Sequence, residues 1–139
     1  MNTNPFIQKT LGFMAIHYAG DFFQESLISI KDHVAKVYIA YSKAPSHGFG
    51  TVAVCPDKEY ELRKVAEEVL GDKLIWETYH SFHNEAEHRA MRYKHSVGYK
   101  FILTIDPDEY FEQIAVALRY ADECPHRFFG AIGYIHFWK

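Results

Sequence analysis

Apolar residues in this chain fall into short runs separated by stretches of helical periodicity. Leu11 to Tyr18 (LGFMAIHY) is compact and apolar and predicts a first strand. Gly20 and Asp21 interrupt it. Phe22, Phe23, Leu27, Ile30 and Val34 then recur every three or four positions, predicting a helix over 22–34, with Asp21 and Gln24 as its capping box. Lys36 to Tyr41 predicts a second strand. Pro45, Gly48 and Gly50 mark the loop that follows, with Val52 to Cys55 either a short strand or part of that loop. Pro56 and Asp57 open a second helix, whose stripe of Leu62, Val65, Ala66, Val69 and Leu70 ends at Gly71, a natural C-cap. Lys73 to Tyr79 predicts a third strand. Asn84 and Glu87 form a second capping box, starting a helix from Glu85 to about Ser96 that Gly98 ends. Tyr99 to Ile105 is apolar nearly throughout, the pattern of a central parallel strand covered on both faces. Tyr110 to Asp122 predicts a fourth helix stopped by Pro125, and Phe128 to Trp138 a last strand region.

Strands alternating with helices across short loops predict an α/β fold, an open and mostly parallel sheet with helices on both faces. Ligands in such sheets bind beyond the carboxyl ends of the strands, where strand order reverses. The 139 residues suit a single domain, with no internal repeat or linker. With 48% hydrophobic and 24% charged residues, the chain is not intrinsically disordered. Its longest apolar runs fall far short of the ~20 residues of a membrane helix. Met1 to Pro5 lacks the basic and apolar regions of a signal peptide. A net charge of -3 argues against a sequence-independent grip on nucleic acid. Cys55 and Cys124 form no CxxC pair and read as buried small residues in a reducing, cytoplasmic compartment.

The chemistry concentrates in Thr104-Ile105-Asp106-Pro107-Asp108-Glu109-Tyr110-Phe111, where three carboxylates follow the fourth strand directly. Asp106 and Asp108, two apart, can face one crevice, and clustered carboxylate oxygens are hard ligands for Mg²⁺ or Mn²⁺. The structural alternative is a helix start, which Pro107, Asp108 and Glu109 all favour. Mutual repulsion of three acids favours the cation site.

LTIDPDEYF resembles the DxD region of family-2-like glycosyltransferases of the GT-A fold. The first strand with DFFQESLISI resembles that family's first strand and helix. NEAEHRAMRYKHSVG resembles its arginine-bearing helix before the DxD strand, with Arg89 matching the arginine, and HFWK resembles a segment seen after the DxD helix. The resemblance spans roughly residues 10 to 139. It implies a GT-A-like, Rossmann-like domain that binds a UDP- or GDP-linked sugar with a divalent metal and transfers the sugar to an unknown acceptor. Asp106 and Asp108 are then the metal ligands, and Asp106, Arg89 and Tyr41 the nucleotide-binding residues. A non-catalytic module retaining the fold is the alternative. Many members carry an acid after the second strand that reads the base. Here that strand ends Ala40-Tyr41-Ser42-Lys43, and Tyr41 is the residue available to stack on a base. Members also run well beyond this length, so the resemblance implies either a minimal N-terminal, nucleotide-binding half or a truncated form. That implies weak turnover in isolation and self-association through Phe128 to Trp138 or a sheet edge.

Two further groups are weaker. His80, His83 and His88 lie near Glu85 and Glu87, but HNEAEH is not the HExxH zinc motif, and a solvated polar loop is the plainer reading. Ser46-His47-Gly48 offers phosphate contacts without a Walker or GxGxxG pattern. Arg89, four residues after Glu85, also fits a helix-surface ion pair.

Overall fold

A computed structural model describes residues 5–46, 57–124 and the backbone of 135–136. Strands β1 (Thr10–Ile16), β2 (Lys36–Ser42), β3 (Leu74–Tyr79) and β4 (Phe101–Thr104) form an open sheet in the order β3-β2-β1-β4, every pair parallel. Helices α1 (Phe23–Ile30), α2 (Glu59–Leu70), α3 (Glu85–Ala90) and α4 (Ile114–Glu123) flank it. A separate antiparallel pair joins β5 (Glu109–Tyr110) to β6 (Ile135–His136). This is the Rossmann-like α/β arrangement that the alternation of elements predicts. Among the described residues, no helix is long and apolar enough to cross a membrane.

Side-chain alternation along the strands sorts the layers. Met14, Ile16, Val37 and Ile39 face one side and share a core with Leu27 of α1, Ala66 of α2 and Leu118 of α4. Phe13, Tyr38 and Ala40 face the other, where Met91 and Tyr99 cover them. The chain moves outward from β1 through β2 to β3, with α1 and α2 on the first face. It then returns to place β4 beside β1. A right-handed connection that reverses direction must cross the opposite face, which is where α3 lies.

Strand β4 corrects one expectation. It lies at an edge of the four-stranded sheet rather than at its centre, and only Leu103 within it is buried. Phe101 packs on one core and Ile102 on the other. The apolar run therefore reports coverage of both faces, not place in the strand order.

Element ends moved for local reasons. Asp21 falls in a 3-10 turn, Gly20–Phe22; Phe22 rather than Asp21 occupies the cap position, and α1 stops at Ile30. The second helix begins at Glu59 rather than at Pro56-Asp57, because the Asp57 carboxylate accepts from the Ala19 and Gly20 N–H groups, both at 3.3 Å. Gly71, at φ 55°, ends α2 as expected. Asn84 Oδ1 accepts from the Glu87 N–H at 2.8 Å, but Glu87 reaches back to the His83 N–H at 2.7 Å instead of closing the box on Asn84. The helix after Asn84 ends at Ala90 and tightens into a 3-10 turn, Met91–Tyr93. Tyr110 is in β5, and α4 starts only at Ile114, after Gln113 takes a left-handed backbone. Val52 to Cys55, Pro125, and Phe128 to Trp138 apart from the backbone of 135–136 lie outside the described residues.

On the second face, Glu77 of β3 anchors the return segment. Its carboxylate accepts from Lys94 Nζ at 2.8 Å, Tyr38 Oη at 2.7 Å, His95 Nε2 at 3.1 Å and the Tyr79 hydroxyl. Burial alone would raise its pKa, but these donors, Lys94 foremost, hold it near 2 against an ordinary 4.5. The sign follows by linkage. The folded carboxylate releases its proton more readily than the unfolded one, so its contribution is fully present above about pH 4.5 and is lost as pH falls toward 2. Glu77→Gln is therefore expected to flatten the loss of melting temperature between pH 5 and pH 3. Parallel curves for the variant and the parent would contradict this assignment.

Candidate functional site

The reversal of strand order between β1 and β4 opens the crevice where α/β sheets hold ligands. A cavity of about 370 Å³ lies there, beyond the carboxyl ends of these two strands. Ala15, His17 and Tyr18 line it from the end of β1, and Gly20 and Asp21 from the turn that follows. Glu85, His88 and Arg89 of α3 form the opposite wall, with Asp106, Pro107 and Asp108 after β4. Ser46 closes one end.

Arg89 and Asp106 form the polar centre. The guanidinium donates Nη1 to Asp106 Oδ1 and Nη2 to Oδ2, both at 3.1 Å, in a forked pair, and donates Nε to Glu85 Oε1 at 2.7 Å. Such bidentate geometry fixes both partners in orientation as well as charge. The Asp106 hydrogen bonds, aided by Glu85, push the Arg89 pKa further up against the opposing effect of burial. Arg89 thus makes the ion pair within its helix that its spacing from Glu85 predicts, and it also reaches the carboxylate after β4.

The three acids have three different situations. Asp106 is a partly exposed carboxylate balanced by Arg89. Glu109 is buried and turned back, its Oε2 accepting from the Asp106 N–H at 2.9 Å while the Glu109 N–H donates to the Asp106 carbonyl at 3.1 Å. Asp108 is exposed on the cavity wall. Arg89 offsets the charge of Asp106, and the turn's own N–H that of Glu109. Pro107-Asp108-Glu109 starts no helix. Ser26 of α1 donates to the Asp106 carbonyl at 3.2 Å and braces the turn from below.

Tyr41 departs from the expectation of base stacking. It is 4% exposed, lies in the core, and stacks on Trp76 with ring centroids 5.7 Å apart. Strand alternation sends it to the α1 and α2 face, away from the cavity wall. His88 is also buried, with Nε2 donating to the Ala40 carbonyl at 2.7 Å and Nδ1 accepting from the Ser46 hydroxyl at 3.1 Å. A carbonyl can only accept, which fixes the tautomer. His80 and His83 stay on the exposed loop. Among the described residues, no three His, Cys, Asp or Glu side chains converge as a metal-holding group. His47 and Gly48 lie outside the described residues.

The sequence reading passed over His17 and Tyr18. Their signal was positional: they end the first strand, the neighbour of the strand that carries the acids, where a ligand in this class of sheet would sit. Comparison with protein-family models, with characterised proteins and with solved structures gave no match.

Proposed function

We propose that this cavity binds a nucleoside diphosphate sugar together with Mg²⁺ or Mn²⁺, and that the chain serves glycosyl transfer from that donor in the manner of the GT-A, family-2-like enzymes its DxD segment resembles. The observation that carries the reading is the forked Arg89–Asp106 pair beside the exposed Asp108, on one wall of a cavity at the strand-order reversal. Arg89 holds Asp106 in a fixed orientation, so that carboxylate is preset to accept from a ribose hydroxyl or a metal-bound water. Asp108 would be the carboxylate that holds the cation. The cation supplies Lewis-acid stabilisation of the leaving diphosphate. The walls from α3 and from the turn after β1 keep the donor in one orientation.

Titration calorimetry with UDP and GDP, with and without Mn²⁺, tests the reading. Tight binding of nucleotide and metal together is expected, with neither metal alone nor nucleotide alone matching it. Asp108→Asn is expected to remove most of the metal-dependent gain while the melting temperature stays within about 1 °C of the parent, as befits an exposed side chain. If Asp108→Asn binds UDP with Mn²⁺ as tightly as the parent, the metal assignment fails.

A further inference from the structure

Away from its acidic turn, the cavity holds a hydroxyl and an imidazole in direct contact. Ser46 Oγ lies 3.1 Å from His88 Nδ1, and both residues line the cavity. His88 Nε2 lies 2.7 Å from the Ala40 carbonyl oxygen. That oxygen can only accept, so Nε2 carries the hydrogen and Nδ1 meets the serine with a lone pair. The Ser46 hydroxyl is therefore the donor. Phe82 stacks on the imidazole, with centroids 4.3 Å apart and planes 12° from parallel. One contact thus fixes the tautomer of the ring and another its plane. Burial pulls the His88 pKa below the ordinary 6.5, which leaves Nδ1 unprotonated at neutral pH. A serine nucleophile needs a base within hydrogen-bond reach, a third group that orients the base, and room for a substrate beside the hydroxyl. All three are present, with the Ala40 carbonyl as the orienting group. The next residue along α3 supplies donors for a developing oxyanion. Arg89 has five N–H groups and spends three on Glu85 and Asp106 among the described residues, which leaves two.

We infer that Ser46 and His88 form a catalytic dyad that hydrolyses small carboxylic esters, a second activity of this cavity. Ser46 Oγ attacks the ester carbonyl carbon as its proton passes to His88 Nδ1. A carbon–oxygen bond forms, and the carbonyl π pair moves onto the carbonyl oxygen. That pair returns as the bond to the leaving oxygen breaks, and Nδ1 gives its proton to that oxygen, releasing the alcohol. Water then gives a proton to Nδ1 and attacks the acyl-serine. Collapse breaks the bond to Ser46 Oγ, which takes the proton back from Nδ1 as the carboxylic acid leaves. Ester and water are consumed, and acid and alcohol are formed. Size and charge narrow the substrate. A cavity of about 370 Å³ admits a small molecule, and Asp21, Glu85, Asp106 and Asp108 on its wall disfavour an anionic ester. Neither Ser46 nor His88 has a part in the nucleotide reading, so the two activities stand or fall separately.

The test uses the full chain, with para-nitrophenyl acetate as substrate and a fluorophosphonate as the probe for an activated serine. Saturable release of nitrophenol is expected from the parent, together with a single phosphonyl group that peptide mass spectrometry places on Ser46. Ser46→Ala should lower kcat/KM by at least about a hundredfold and abolish the label. His88→Gln keeps hydrogen-bonding groups at that position but no base, and should slow both turnover and labelling by at least about a hundredfold. Circular dichroism and melting curves check that each variant folds. Labelling of the parent decides the matter even where neither variant folds. A parent that takes no label on Ser46 overturns the dyad, and so does a folded Ser46→Ala or His88→Gln variant that hydrolyses the ester as fast as the parent. The pair is then a buried strut between α3 and the segment after β2, and the affinity for nucleotide is untouched by that result.

Discussion

Arg89→Ala is expected to weaken metal-assisted binding of UDP or GDP by about tenfold to a hundredfold, while stability falls by no more than about 1 kcal/mol. The two figures come from different physics. Arg89 and Asp106 have side chains 38% and 33% exposed, so their ion pair is partly screened and belongs with pairs worth about 0.2–1 kcal/mol. Binding draws on something else. Without the fork, Asp106 loses its fixed orientation, and the cavity loses its cation opposite an incoming diphosphate. Hydrogen bonds to charged groups contribute about 1.5–3 kcal/mol each, the range that yields the stated loss. Arg89→Lys should recover little, because an ammonium keeps the charge but cannot make both contacts to Asp106 at once. Calorimetry beside melting curves separates the two effects. Unchanged nucleotide affinity with a small stability loss would reduce Arg89 to a helix-surface ion pair.

The largest loss of stability is expected from His88→Ala, about 2–4 kcal/mol, or roughly 10 °C in melting temperature for a domain of this size. His88 is 2% exposed, and its ring stacks on Phe82 with centroids 4.3 Å apart. Truncation leaves the Ala40 carbonyl and the Ser46 hydroxyl without their partner, and each buried orphan costs about 1–3 kcal/mol. A cavity the size of the ring adds to this. The same residue carries a pH signature. Burial, before any other influence, pulls its pKa below the ordinary 6.5, against the pull of the Ala40 carbonyl. The unfolded chain therefore binds a proton near pH 6.5 that the folded chain refuses. Stability from neutral His88 is full above about pH 6.5 and declines as pH falls below it. Urea midpoints at pH 7.5 and pH 5.5 check this: the parent should lose stability between them, and His88→Ala should lose less. A variant as stable as the parent at pH 7.5 would mean that α3 is held by other contacts.

The order of elements and the class of sheet were legible in the sequence because they depend on periodicity, which is local. Leu62, Ala66 and Leu70 recur along one face of a helix, and Tyr38 and Ile39 alternate along a strand, whatever the rest of the chain does. Strand order was not legible. Nothing within Tyr99 to Ile105 distinguishes a strand covered on both faces from one that is also flanked on both edges, so β4 read as central. The acids after β4 were visible as a cluster, but their separate situations depend on groups 17 and 80 positions away, Arg89 and Ser26. Tyr41 failed as a base platform for a reason strand parity contains: it lies on the same side as Ile39 and Val37, which are core. His88 was grouped with His80 and His83 by spacing, whereas the helix begun at Asn84 turns it into the protein and leaves the others on the loop.

Gly12 sets a distance on which the acidic turn depends. A Cβ built there would lie 3.3 Å from Val37 Cγ2 and 3.4 Å from Ile30 Cδ1, so the bare backbone lets the end of α1 settle against the sheet. The same helix carries Ser26, which holds the Asp106 carbonyl, and Ser29, whose hydroxyl accepts from the Phe111 N–H at 3.3 Å. Helix α1 thus meets Gly12 through Ile30 at one end and the turn that carries Asp106 and Asp108 through its serines. A methyl group at position 12 must be absorbed by its neighbours giving a few tenths of an ångström. The tightest contact is with Val37 of β2, so that side chain gives first and Ile30 next. The missing side chain at the third position of β1 therefore leaves room for the helix whose serines hold the far side of the cavity.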